Sequence, residues 1–153
     1  MLTRMILDLT GQPDVGALYL AMYRGRVTRD ARRTATRLVF QAATLGDAVA
    51  IGILRRIGDE LGVAGAAVAR RLGMQDVAFP FVLTGGTFRT LHSPLAEAAI
   101  ARLQQAAPRC VPTLPLLMPV AGAGLLALDA AERRVTQDHY GRLRAQGYGW
   151  HSQ

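Results

Sequence analysis

The residues of this chain best suited to chemistry are glycines. Phe81-Val-Leu-Thr-Gly-Gly-Thr-Phe-Arg89 reads as a strand running into two adjacent glycines. With no Cβ at Gly85 or Gly86, backbone can approach a ligand closely, and the exposed amides of such a turn suit a phosphate or the face of a nucleoside. Read alone, the same string is also an ordinary tight turn from strand to helix. A second small-residue segment, Pro119-Val-Ala-Gly-Ala-Gly-Leu-Leu-Ala-Leu128, opens a helix. Close packing of that helix on a neighbour accounts for it as well as ligand contact does. A third segment, Ala42-Ala-Thr-Leu-Gly-Asp-Ala-Val-Ala50, turns a corner at Gly46 and leaves Asp47 placed to cap the helix that follows.

Side chains that usually carry catalysis are scarce. All 18 basic side chains are arginine, and no lysine occurs. A Schiff-base lysine, a lysine general base and a self-contained Walker-type nucleotide site are therefore excluded. His92, His139 and His151 are scattered, with no carboxylate or cysteine at ligand spacing, so they read as surface or loop residues and no metal site is expected. Cys110 alone can form neither an internal disulfide nor a metal site, which fits a reducing, cytoplasmic setting. Asp8 comes too early for the apolar core of a signal peptide. No apolar run reaches the ~20 residues of a membrane span, and no membrane partner is expected.

The net charge is +7 and the isoelectric point about 10.9, which raises nucleic acid as a partner. The arginines fall in pairs or at helical spacing: Arg24, Arg26 and Arg29, then Arg32/Arg33, Arg55/Arg56, Arg70/Arg71 and Arg133/Arg134. They belong to no known nucleic-acid module, and Phe40, Phe79, Phe81 and Phe88 sit in apolar or turn surroundings rather than among them. Solvated helix faces explain them better than nucleic acid does. A weaker anionic-partner reading survives because arginine suits phosphate, and Arg89 on its turn could reach an anion.

Positioning these segments requires a folded scaffold. At 153 residues, half of them hydrophobic, the chain has the length of one domain, and such a chain buries on the order of two-thirds of its unfolded surface. Two short helices are expected over 3–10 and 13–24, the second capped by Asp14 and ended by Gly25. A long helix runs from Thr28 or Asp30 to Gly46 with Ala35, Leu38, Val39, Ala42 and Leu45 as its apolar stripe. In the next, Val49, Ile53, Ile57 and Leu61 repeat at four, joined by Leu54, Val68 and Leu72, and Gly73 stops it. Val77–Leu83 suits a buried strand of a parallel sheet, with Pro80 shortening it. Ser93-Pro94 opens a helix to about Ala107. A second strand near Cys110–Leu114 has an edge or irregular course because of Pro112. A last core helix spans Leu125 to Ala131, and the polar, Arg-rich tail after it carries a marginal helix. Two strands make a thin sheet, which suggests that strands are missing.

In this order and spacing, the A-A-x-x-G-D-x-x-A corner, the V-L-T-G-G turn, the Ser-Pro-Leu helix opening and the P-V-x-G-A segment resemble the C-terminal half of the BadF/BadG/BcrA/BcrD-type ATPase family. That family includes the N-acetylglucosamine and glucosamine kinases, within the sugar kinase and actin superfamily. Leu2-Thr3, Leu18, Tyr23 and Arg24 are similar to the helical insert before its Gly-Asp corner. The resemblance covers about residues 2–131.

The resemblance implies an α/β fold: a helix-rich, partial ribonuclease-H-like C-terminal lobe of an actin-like ATPase with an incomplete sheet. Residues 1–131 would form the lobe, truncated at its start, and 132–153 the tail. It implies ATP or ADP as ligand, with Mg²⁺. Gly85 and Gly86, flanked by Thr84 and Thr87, would lie against the ribose and α-phosphate. Pro119, Val120, Gly122 and Ala123 match the segment connecting the lobes, and Gly46 and Asp47 would help shape the adenosine pocket, although helix capping explains Asp47 equally. The departures matter as much. The first lobe's D-x-G-x-T phosphate loop, its sugar-binding residues and its catalytic Asp have no counterpart here, so no catalytic residue is assigned. Positioning and charge stabilisation supply most of phosphoryl-transfer catalysis, so the chain alone is not expected to phosphorylate an amino sugar. It would need an N-terminal lobe as partner, or expose apolar surface that drives a homodimer. A lone Cys110 disfavours the family's iron–sulfur activator branch. The alternatives are a non-catalytic, Arg-rich helical interaction or nucleic-acid-binding protein, or an inactive remnant.

Overall fold

A computed structural model describes residues 1–88 and 90–150. Four helices come first: α1 (Leu2–Thr10), α2 (Val15–Tyr23), α3 (Arg29–Thr44) and α4 (Ala48–Arg71). Their boundaries follow local chemistry. Asp14 accepts from the Ala17 N–H at 2.8 Å and starts α2, and Thr28 accepts from the Ala31 N–H at 3.1 Å and starts α3. Each satisfies an amide that a helix leaves without an internal partner. Gly46 adopts φ +84, a left-handed conformation that a Cβ would disfavour, and between α3 and α4 the chain bends by 114°. The expected corner is thus an angled pair.

The remainder is built around one βαβ unit. Strand β1 (Phe79–Val82) leads to helix α5 (Pro94–Gln104) and then to strand β2 (Cys110–Thr113). The strands are parallel, with Phe79 opposite Cys110 and Val82 opposite Thr113. Parallel strands need such a crossover. Pro80 and Pro112 are tolerated because both strands of a two-stranded sheet are edges. Ser93 accepts from the Ala96 N–H at 3.2 Å and caps α5. The fold is therefore mixed α/β and helix-rich, with a two-stranded parallel sheet.

The core seam lies between α4 and α5, and it differs from the expected one. Of the expected core residues of α4, Leu54 is buried at 2% exposure, but Val49, Ile53, Ile57 and Leu61 are 67, 39, 46 and 42% exposed. The buried face is one position further on: Ala50, Leu54, Gly58, Gly62, Ala66 and Ala69. Val68 and Leu72 are exposed as well, and so is Leu45 of α3. Close approach of the two backbones explains the choice. A Cβ on Gly58 would stand 2.2 Å from the Leu95 carbonyl oxygen, and one on Gly62 would stand 2.5 Å from Arg102 Cβ. The helices run parallel, Gly58 beside Leu95 and Gly62 beside Ala99. At Gly58 and Gly62 no side chain fits, while Leu54 at one end of the same face is buried with Leu95.

Buried residues form three separate clusters rather than one. The first joins Leu2, Ala42, Ala43, Ala50, Leu54 and Leu95. The second joins Ala66, Ala69, Leu103, Ala107 and Cys110 under Phe79 and Phe81. The third belongs to helix α6 (Pro119–Ala130), whose Ala121 and Leu125 pack with Leu117 against Val135, Tyr140 and Leu143. The Arg-rich tail is thus less detached than its polarity suggests. It forms helix α7 (Gln137–Leu143), and the chain then kinks at Gly147, whose φ is +87. Its end is tied back, the Met118 N–H donating to the Tyr148 carbonyl at 2.8 Å and the Trp150 N–H to the Leu116 carbonyl at 3.1 Å.

The outer sheet face stays open, with Val82 49% and Val111 53% exposed. In total the chain exposes 10,545 Å², where a folded monomer of its mass exposes roughly 7,500 Å². The surplus is about 3,000 Å² by that scaling. Among the described residues, no single helix is long and apolar enough to cross a membrane.

Candidate functional site

Both glycine-bearing segments leave the same edge of the sheet. β1 ends at Val82, and the next residue, Leu83, is buried and donates its N–H to the Thr113 carbonyl at 2.9 Å. The exposed turn Thr84–Thr87 follows, closed by the Phe88 N–H donating to the Gly85 carbonyl at 3.1 Å. Gly85 has φ +102, which only glycine adopts readily. A Cβ on Gly85 or Gly86 would meet nothing within 4 Å, so the turn presents its backbone to open space. β2 ends beside it at Thr113, and Leu114–Met118 carry the chain to α6, with Pro119 in its first turn.

Between these strand ends and α6 lies a cleft of about 800 Å³. Val82, Thr113, Leu117, Pro119, Gly122, Ala123 and Leu126 line it, with Asp129 and Tyr140 supplying polar atoms. Parallel sheets bind ligands outside the carboxyl ends of their strands, and this volume is in the usual range for a small-molecule pocket, roughly 300–1,000 Å³. Among the described residues the lining contains a single carboxylate, Asp129, and no arginine or histidine. It suits an uncharged, flat or apolar group better than a polyanion. Asp129 and Tyr140 were not singled out from sequence. They carry no local motif and come together only because α7 folds back on α6.

The third segment does not line this cleft, but its Ala42, Ala43 and Ala50 belong to the buried cluster on which Phe88, just past the glycine turn, packs. Asp47 is held by both carboxylate oxygens: Oδ1 accepts from the Ala50 N–H at 3.0 Å, and Oδ2 accepts from the Leu2 N–H at 2.9 Å. The Met1 amino group stands 3.0 Å from Oδ2. One side chain therefore caps the starts of both α4 and α1, with only 8% of its surface exposed. The Leu2 hydrogen bond, then that from Ala50, then the Met1 amino group hold this carboxyl well below the usual carboxylate range, against the opposing effect of burial. Capping of α4 was legible in the sequence; capping of α1 was not, because Leu2 is 45 positions away.

Thr87 lines a different groove, about 380 Å³, between α3 and α4. A third cleft of about 440 Å³ lies behind α6, beside His139 and Arg142. The first cleft is lined by two of the three segments, through Val82 on one side and Pro119, Gly122 and Ala123 on the other; Thr84–Gly86 line none of the three clefts, and Gly46 and Asp47 stay at the α3–α4 corner. Arg89 and His151 lie outside the described residues. His92 is exposed, and the half-buried His139 takes part in the α7 cap, its Nδ1 accepting from the Thr136 N–H at 3.1 Å. Among the described residues no three His, Cys, Asp or Glu side chains converge. The paired arginines stand on exposed faces, as expected. Comparisons with protein-family models, curated proteins and solved structures find no match to this chain.

Proposed function

We propose that the chain is the adenosine-binding lobe of a two-lobed, amino-sugar kinase-like ATPase of actin-like fold, inactive until an N-terminal lobe completes it. The observation that carries the reading is positional: the Thr84–Thr87 turn and the Gly122/Ala123 helix, remote in sequence, both leave the carboxyl ends of adjacent parallel strands. Base and ribose would occupy the cleft, with the turn's open amides toward the α-phosphate. The residues fit the nucleoside end of ATP. They do not fit Mg²⁺, which takes one or two carboxylates along with the phosphates; the only carboxylate in the cleft is Asp129. Metal, catalytic Asp and sugar site are therefore assigned to the missing lobe, and no step of phosphoryl transfer is assigned to this chain.

Calorimetric titration with ATP, with and without Mg²⁺, tests this. The wild-type chain is expected to give a binding heat that Gly85→Val weakens at least tenfold, because valine resists φ +102. Absence of heat in both proteins, or equal heat, overturns the reading. The second reading, a non-catalytic interaction module, is favoured by the surplus of exposed surface. If its partner is a nucleic acid, binding must weaken steeply with salt.

A further inference from the structure

The most one-sided charge in the chain follows helix α2. Six of the 18 basic side chains, Arg24, Arg26, Arg29, Arg32, Arg33 and Arg37, lie between Tyr23 and Leu38. One carboxylate opposes them, Asp30, in the first turn of α3. All six arginines are exposed, and among the described residues none takes part in an ion pair. Arg29, Arg33 and Arg37 recur at four along α3, a stripe about 12 Å long at 1.5 Å per residue. Like charges at that spacing destabilise a helix, so the stripe is unfavourable by itself and gains from a bound polyanion. Arg32 instead lines the groove that Thr87 shares and takes no part. No phenylalanine lies among these arginines, but the fold bares two tyrosines beside them. Tyr19 and Tyr23, one turn apart on the same face of α2, are 68% and 82% exposed. The Arg26 N–H donates to the Ala21 carbonyl at 2.8 Å, which fixes Arg24 and Arg26 at the Tyr23 end of α2.

We infer that α2 and the first half of α3 bind a single-stranded nucleic acid, its bases stacking on Tyr19 and Tyr23 and its phosphates following the arginines from Arg24 to Arg37. Charge alone suits any polyanion; the tyrosines make the choice. A single strand offers free base faces, every base has one, and aromatic side chains beside a basic track are how such strands are held without reading their sequence. A duplex keeps those faces stacked inside. An anionic membrane would accept the arginines, but an interfacial helix buries a broad apolar face, and on α2 the tyrosines project furthest while Leu20 and Met22 are about half exposed. The inference deepens the interaction-module reading and rests on it. It owes nothing to the nucleotide reading, because neither tyrosine and none of these arginines lines the cleft at the strand ends.

The experiment is fluorescence anisotropy of the full chain with a labelled oligothymidylate of about 15 nucleotides, a length that spans sites of this kind. Five arginines on phosphates, at roughly 0.7 each, give log affinity against log salt a slope of about −3.5, so binding should fall about a hundredfold between roughly 50 and 200 mM salt. Arg33→Gln combined with Arg37→Gln should flatten that slope by about 1.4. Tyr19→Ala and Tyr23→Ala should each weaken the single strand at least about fivefold and leave binding of a duplex of the same length unchanged, while Tyr23→Phe keeps the ring and the affinity. All these side chains are exposed, so the variants should fold, and none should alter ATP titration. No binding at the lowest salt, a slope indifferent to the arginine pair, or equal losses for strand and duplex in the alanine variants overturns the proposal. Binding to phosphatidylserine vesicles without binding to the oligomer also overturns it, while leaving the interaction-module reading in place.

Discussion

Glycine-to-alanine substitution along α4 separates close packing from backbone entropy within one helix. Gly52 faces open space, Gly65 would make ordinary contacts at 3.5 Å or more, and Gly58 would drive a methyl to 2.2 Å from the Leu95 carbonyl oxygen. At Gly52 only helix propensity acts, and alanine should stabilise by about 0.5–1 kcal/mol. At Gly58 the same gain applies, but the obstacle is backbone. α5 must retreat by more than 1 Å before the contact becomes ordinary, and α5 carries Leu95 and Leu103, the two large side chains that are fully buried. Overpacking costs about 1–3 kcal/mol, and loosening either leucine forfeits part of the ~1.5–3 kcal/mol its burial contributes. We expect Gly58→Ala to lose about 2 kcal/mol net, lowering the melting temperature by roughly 4–8 °C for a chain of this size. Gly62→Ala should behave alike, with Ala99 oxygen at 2.6 Å. Urea titration and thermal melts followed by circular dichroism measure both signs. If Gly58→Ala melts at or above Gly52→Ala, the α4–α5 seam described above is wrong.

Asp47→Asn should lower stability at neutral pH and flatten its acid dependence. The carboxyl's folded pKa is depressed, so its contribution is full above the ordinary value near 3.9 and is lost as pH falls below that toward the folded value. Urea midpoints of wild type and variant should draw closer as pH falls from 7 to 2.5; parallel curves would contradict the double cap. Cys110 is 4% exposed and burial pushes its thiol up from the usual range, so a thiol reagent should label it at pH 7.5 only on unfolding. Rapid labelling of the native chain would show that β2 opens.

Legibility varied with the range of the interaction. Helix starts at Asp14, Thr28, Asp47 and Ser93, the glycine corner at Gly46, and the parallel strands on either side of α5 could all be read from neighbours a few positions apart, because caps and turns are local chemistry. The stripe of α4 could not. Its period of four is satisfied by Val49, Ile53, Ile57 and Leu61 and equally by Leu54, Gly58 and Gly62, one position on. Hydropathy chooses the larger side chains, whereas the approach of α5 leaves no room for a Cβ at Gly58 and Gly62. The candidate site divides in the same way. Gly85 was recognisable because a strand meeting two glycines must expose backbone, but its neighbourhood with Gly122 and Ala123 depends on the β1–β2 register, and the occupation of Asp47 by two helix caps depends on the placement of α1.

The sequence by itself determined where backbone is bared, where helices begin, and that no lysine of this chain takes part. Only the tertiary structure decided which face of α4 is buried, which glycines share a sheet edge, and that Asp47 caps two helices. Local conformation depends on residues within a turn of one another, while burial and convergence depend on which elements meet, and here the closest meeting is permitted by the absence of two β-carbons.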